Sequence, residues 1–158
     1  MKRLLLVLLL LAAPRAKGAE APGLTFYVQL VCGSDGEAPP ARPARSIGPK
    51  LDQRLHNVFK WKNYWEIKRE VVTVKAGAKV RKLMTAERQV EISWPGSRDM
   101  IVSIYAHGKL TRKRTQTVDA GFYIAGGGND AAEPWFIIVR RDNPETDQAS
   151  GVKLAEIP

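Results

Sequence analysis

The side chains best equipped for catalysis in this 158-residue chain are two histidines and a single cysteine. An activated nucleophile needs a base within hydrogen-bond reach, and only His56 and His107 offer an imidazole. Cys32, His107 and Asp99 can be combined as a triad, but they lie in different segments, and no G-x-S-x-G motif occurs. Such combinations arise by chance in most sequences. The sequence therefore predicts no catalytic residue, and a hydrolase without a recognisable motif is the third functional hypothesis.

Metal and cofactor sites also lack their usual spacing. The histidines and the cysteine are too scattered for a zinc site. Asn129, Asp130 and Glu133 are close in sequence but do not supply the ligand set of an EF-hand, so we interpret them as a solvated loop, with a weak cation site as the alternative. The glycines before Asn129 lack the lysine of a phosphate-binding loop. We predict no metal and no cofactor.

Glutamates on predicted strands raise the question of glycan cleavage, which uses two carboxylates facing each other across a cleft. The candidates are Glu66, Glu70, Glu87 and Glu91. Pairing on the strand surface with the neighbouring cations Lys68, Arg69 and Arg88 is the simpler interpretation.

Cations and aromatic rings give the strongest binding signal. One group, here called the basic strand, comprises Lys109, Arg112, Lys113 and Arg114, with Arg112 and Arg114 expected on the same face. The second group, here called the aromatic–basic segment, comprises Lys60, Trp61, Lys62 and Trp65. Together with Lys68 and Arg69, these groups predict a positive surface that suits nucleic acid, glycans or acidic lipid headgroups. The alternative is that the cations guard exposed strands against edge-to-edge pairing.

The first eighteen residues have the pattern of a secretory signal. Lys2 and Arg3 precede ten apolar residues, and Ala16 and Gly18 have the spacing of a cleavage site, so we place the cut after Gly18. Ten apolar residues are too few to span a bilayer, and no later stretch is long enough. An uncleaved membrane anchor is the alternative. A single cysteine in an exported chain excludes an internal disulfide and favours a bacterial envelope protein.

The mature chain is predicted to form a single mainly β domain over residues 24–142. Residues 24–32 alternate as a strand, with Cys32 as a small buried hydrophobe, and residues 33–48 form a Pro/Gly-rich crossover linker. Residues 49–60 have the spacing of a short amphipathic helix. From Tyr64 onward, short strands alternate with turns, which predicts a small antiparallel β-sandwich or barrel. Residues 136–139 read as a strand buried on both faces, and residues 143–158 as a mobile tail.

Charge narrows the class of partner. The chain has 25 basic and 16 acidic residues, and four of the basic ones lie in the first eighteen residues, so the mature excess is +5. An acidic protein or an anionic envelope polymer suits an exported protein, whereas nucleic acid does not. We therefore expect a non-catalytic binding or interaction module in the bacterial periplasm or outside the cell. A structural subunit of an envelope or secretion assembly is the alternative.

The leader, the Val28-Gln29-Leu30 strand, the Pro-rich spacer and the stretch from Val58 to Tyr64 resemble small exported bacterial proteins of unassigned function. The resemblance covers most of residues 24–141. It implies export and a shared domain, and it carries no site residue.

Overall fold

Two antiparallel sheets and two helices make up the part of the chain that the computed structural model describes, namely residues 22–38, 43–126 and 134–148. The strands are β1 (Gly23–Ser34), β2 (Arg45–Ser46), β3 (Asn63–Lys75), β4 (Ala78–Leu83), β5 (Arg88–Trp94), β6 (Asp99–Ala106), β7 (Lys109–Thr117), β8 (Tyr123–Gly126) and β9 (Trp135–Arg140). The helices are α1 (Pro49–His56) and α2 (residues 144–148). The predicted leader lies outside the described residues, as does most of the 126–133 glycine-rich loop.

Sheet A has the strand order β2-β3-β1-β9-β8, so the first long strand occupies its centre. β1 pairs along its length with β3 and, from Tyr27 to Cys32, also with β9. A bulge at Ile67 shifts the β1–β3 register between Leu30 and Val31. An extra residue of this kind bends and twists a strand. The predicted linker is shorter than expected, because β1 continues to Ser34 and β2 pairs with β3.

Sheet B is a meander with the order β4-β5-β6-β7. Its last hairpin turns at His107 and Gly108, whose φ angles of 50° and 76° are both positive. Two central residues in this region form the type I′ turn that suits the twist of a tight hairpin. The turn therefore places β7 antiparallel to β6, and none of the other described strands pairs with β7.

A shared apolar layer lies between the two sheets, as the alternation predicts. Phe26, Val28 and Leu30 of β1 pack with Val90 and Ile92 of β5, among others. The described strands form two separate sheets without closing into a barrel. The prediction of a mainly β fold with antiparallel sheets is confirmed, and of its two forms the sandwich is the one observed.

The opposite face of sheet A carries a second apolar layer beneath α1. Leu51 and Leu55 of α1 pack there against Val31, Phe136 and Ile138. Because Ile137 and Val139 point between the sheets, residues 136–139 are buried on both faces, which confirms that prediction. Each face of sheet A is thus covered by a different layer.

Helix α1 ends at His56, four residues before the predicted end. The amide of Val58 donates to the Leu55 carbonyl at 3.0 Å, a tighter pattern than that of an α-helix. This turn leaves Val58, predicted to lie on the buried helix face, 66% exposed. Phe59 still reaches the layer beneath the helix.

Helix α2 was not predicted and lies within the segment that the sequence analysis assigned to a tail. Asn143 caps it, because its side-chain oxygen accepts the Glu145 amide at 3.0 Å, and Pro144 starts it. Asp147 is 2% exposed, so this part of the segment packs on the domain. Residues 149–158 lie outside the described residues.

Candidate binding surface

The basic strand lies at the edge of sheet B, on β7. Every residue from 109 to 115 is exposed, although β7 pairs with β6 over its whole length. Edge strands present one row of backbone amides and carbonyls to solvent. β7 therefore offers both unpaired backbone groups and cationic side chains.

The register between β6 and β7 sets the direction of each cation. Residues directly opposite each other in an antiparallel pair point to the same face. Arg112 lies opposite Ile104 and Arg114 opposite Val102, two residues buried between the sheets. The two arginines therefore share the side of sheet B that faces sheet A, as predicted, and Lys113 points to the other side.

Tyr123 of β8 shows where the two arginines lie relative to sheet A. Burial raises the pKa of the Tyr123 hydroxyl, and the charges of Arg112 and Arg114 partly oppose this by lowering it. The arginines thus lie close to β8, which is the edge of sheet A on this side of the sandwich.

The opposite edge of sheet B, β4, also carries cations, but acidic side chains neutralise two of them. Arg81 contacts Glu91 at 2.7 Å, and Lys82 lies 3.8 Å from Glu70. By contrast, no carboxylate among the described residues forms an ion pair with any of the four cations of the basic strand. The two edges of sheet B therefore differ in net charge.

The aromatic–basic segment lies at sheet A and the α1 layer rather than at sheet B. Trp61 packs into the layer beneath α1, against Gly33, where an added Cβ would come within 2.6 Å of the indole. Lys60 and Lys62 are exposed. Trp65 lines a shallow open depression together with Asp35 and Glu37, among others, so acidic groups accompany these lysines.

The two other cations of the predicted positive surface are already paired. Lys68 contacts Glu70 at 3.1 Å and donates to the Leu83 carbonyl, while Arg69 pairs with Glu66 and Glu145. No contact among the described residues joins the aromatic–basic segment to the basic strand. The structure thus separates the two groups onto different sheets.

The residues considered for a catalytic triad do not converge. Asp99 opens β6 and His107 follows its end, a separation of about 25 Å for eight residues of strand. His107 is exposed and pairs with Glu87, while Cys32, predicted to be buried, is partly exposed. Asp99 and His107 therefore lie at opposite ends of β6, too far apart to form a hydrogen-bonded pair.

His56 is the last residue of α1. Its Nδ1 lies 3.0 Å from the Asp52 carbonyl oxygen and 3.1 Å from the Asp52 carboxylate. The hydrogen bond to this carbonyl raises the pKa of His56, against a smaller opposing effect of burial. The imidazole therefore forms a hydrogen bond with a backbone carbonyl in the last turn of α1.

A buried polar cluster on the helix side of sheet A was missed by sequence reasoning. Gln29 donates to Glu66, and Arg69 donates to the same carboxylate from Nη2 at 3.0 Å. Glu66 is buried, so its interpretation as a surface residue is wrong, although its pairing with Arg69 is confirmed. A signal was present, since Gln29 belongs to the more polar side of the first strand. These groups tie β1 to β3 and include no nucleophile.

Arg140 forms a second buried polar group at the end of β9. Its guanidinium pairs with Asp142 and with Asp147, the latter at 3.1 Å, and lies 4.4 Å from the centre of the Phe122 ring. The hydrogen bond from Arg140 lowers the pKa of Asp142. Asp147 also accepts the Lys50 amide at 3.0 Å, so it links β9 to the start of α1.

Metal ligands and membrane spans were sought in the same part of the chain. Within residues 22–38, 43–126 and 134–148, no three His, Cys, Asp or Glu side chains are grouped so as to hold a metal ion. None of the helices described is both long and apolar enough to cross a bilayer. Asn129, Asp130 and Glu133, considered for a weak cation site, lie outside the described residues.

No protein-family model, curated protein or solved structure matches this chain.

Proposed function

We propose that this chain is an exported, non-catalytic binding module that holds an anionic partner on the basic strand. The observation that carries the proposal is the row of seven exposed residues on β7, with Lys109, Arg112, Lys113 and Arg114 unpaired by any described carboxylate. Clustered like charges repel one another, so an anionic partner stabilises this edge by relieving that repulsion.

The contrast with β4 supports β7 over a general role of cations as edge guards. If the cations served only to prevent edge-to-edge pairing of strands, ion pairs with nearby carboxylates would be expected equally at β4 and at β7. On β4, glutamates match Arg81 and Lys82 but not Lys79, whereas on β7 none of the four cations is matched by a described carboxylate. The charge left unmatched among the described residues supports β7 as the site for an anionic partner.

Export rests on the leader and on the resemblance to small exported proteins. The cationic start, ten apolar residues and small residues before the cut after Gly18 support a secretory signal. An acidic protein or an anionic envelope polymer then shares the compartment with the domain.

Two double charge reversals test the proposal. Arg112→Glu/Arg114→Glu changes the basic strand, and Lys60→Glu/Lys62→Glu changes the aromatic–basic segment by the same net charge. We expect binding of labelled poly-glutamate to weaken by about tenfold or more, ~1.4 kcal/mol, in the first variant only. Binding should also weaken as salt rises, because the contacts are exposed.

Equal losses in the two variants would show attraction by net charge alone and would overturn the assignment to β7. Loss only in Lys60→Glu/Lys62→Glu would move the site to the aromatic–basic segment. Circular dichroism of both variants checks that the fold is intact, which is expected because all four side chains are exposed.

A further inference from the structure

We propose that the occupant of β7 is an extended acidic segment of a partner protein, which adds to sheet B as a fifth strand. This inference rests on the proposed function and specifies both the partner and the way it binds. Strand addition uses the backbone of an exposed edge for affinity and the flanking side chains for specificity. β7 provides both.

Length separates β7 from the other sheet edges. Among the described strands, β2 and β8 end sheet A with two and four residues, and β4 and β7 end sheet B with six and nine. Short edges are a common means of preventing unwanted pairing. β7 is therefore the edge with room for the most backbone hydrogen bonds to an added strand.

The charges on β7 set the sequence that an added strand should have. Lys109, Arg112 and Arg114 lie opposite Ala106, Ile104 and Val102, on the side that faces sheet A. An added strand places alternate side chains on this side. Glutamate or aspartate at every second position would meet Arg112 and Arg114 across the new strand pair, whereas the extra residue at Thr111 interrupts the spacing to Lys109.

The other side of β7 is less charged and partly apolar. Leu110 lies there, opposite Tyr105, and is 52% exposed, with Lys113 further along the strand. Apolar residues at the intervening positions of the partner would cover part of Leu110. The matching segment thus alternates acidic and apolar residues.

A second copy of the chain fits this edge poorly. Two β7 strands placed side by side would bring four cations against four, and like charges opposite each other destabilise a strand pair. A polymer without backbone amides would satisfy the cations and leave the outward amides and carbonyls of β7 unpaired. An acidic polypeptide satisfies both sets of groups.

N-methylated peptides distinguish strand pairing from attraction by charge. The probe is a peptide of alternating glutamate and valine with the nine-residue length of β7, prepared unmodified and with N-methyl groups on either alternate set of residues. Only one set directs its N–H groups toward β7. We expect methylation of that set to weaken binding about tenfold or more, ~1.4 kcal/mol, and methylation of the other set to have little effect.

Amide hydrogen exchange gives a second readout on the protein itself. On binding the unmodified peptide, alternate amides of residues 112–117 should exchange more slowly, because these amides gain partners. The extra residue at Thr111, where the β6–β7 register shifts, interrupts this alternation toward Lys109. The Arg112→Glu/Arg114→Glu variant should show neither the binding nor the protection, while Lys60→Glu/Lys62→Glu should show both.

Equal affinities for the three peptides, or equal losses for both methylated ones, would overturn strand addition. If poly-glutamate binding still depended on Arg112 and Arg114, the proposed function would stand and only the pairing would fail. A peptide-independent dimer that buries β7 would also overturn the inference and identify a second copy as the occupant.

Discussion

Arg140 and Arg141 are neighbours in sequence whose side chains occupy opposite environments. Arg140 is 1% exposed and holds Asp147, which is buried as well, whereas Arg141 pairs with Asp119 in solvent. The difference follows from β9, whose alternate side chains point to opposite sides and which ends at Arg140. The two arginines are therefore expected to contribute differently to the free energy of unfolding, because one is buried and the other is exposed.

Replacing Arg140 with leucine should lower the free energy of unfolding by about 3–5 kcal/mol, because the buried carboxylate of Asp147 loses its counter-charge. The matched change Arg141→Leu removes an exposed pair and should cost about 0–1 kcal/mol. Urea unfolding of both variants measures the difference. Similar losses in the two would contradict the buried pairing of Arg140 with Asp147.

For the candidate site, the sequence predicts the direction of a side chain better than its burial or its ion-pair partners. The placement of Arg112 and Arg114 on one face follows from strand periodicity alone, and it is confirmed. Periodicity does not predict that these arginines lack an ion pair with any described carboxylate, because that depends on which strands lie side by side. Burial of Glu66 was missed for the same reason, since a glutamate on a strand is buried only if another element covers it.

At the scale of elements, the strands were predictable and the helical layer was less so. Alternation locates each long strand within a few residues, because side chains on a two-sided sheet must repeat every second position. The end of α1 and the existence of α2 depend on contacts between segments far apart in sequence. The cap formed by Asn143 and Pro144 is a local signal that could have identified α2.

The close contact between the start of α1 and α2 gives a prediction at the scale of elements. A Cβ added at Gly48, the residue before α1, would lie 2.4 Å from Cγ of Asp147. Gly48→Ala should therefore destabilise the domain by about 1–3 kcal/mol, because α1 or α2 must shift. Thermal unfolding followed by circular dichroism measures this loss.

Gly36→Ala is the matched control, because its Cβ would meet only the Ser34 hydroxyl, at 3.9 Å. This change should be neutral or stabilise by up to about 1 kcal/mol, through the unfolded chain. A neutral Gly48→Ala would show that α1 and α2 are not in close contact.

At the scale of the whole molecule, three layers stack in the described residues: sheet B, sheet A and the helices. The two cationic groups were predicted to form one surface but lie in different layers. The basic strand is the outer edge of sheet B, and the aromatic–basic segment lies at sheet A. Periodicity predicts faces within an element, and it does not predict the order of strands. The proposal of one positive surface therefore becomes a proposal about a single edge.

The proposed export gives a prediction at the scale of the whole molecule. Expressed in a Gram-negative bacterium, the protein should appear in the periplasm or medium with Ala19 as its first residue, since the cut is placed after Gly18. Intact mass and N-terminal sequencing check this. A chain that retains Met1 in the membrane fraction would favour the uncleaved anchor, and one that stays in the cytoplasm would contradict export.

β1 lies at the centre of sheet A, between β3 and β9, although it comes first in the chain. Its pairing with β9 joins Tyr27 to Arg140, so sheet A cannot form in full before residue 140 has been synthesised. Contacts this distant in sequence slow folding, typically to milliseconds or seconds. Under the proposed export, this strand order keeps sheet A unformed until β9 is available, and an unfolded chain is the form that a narrow translocation channel admits.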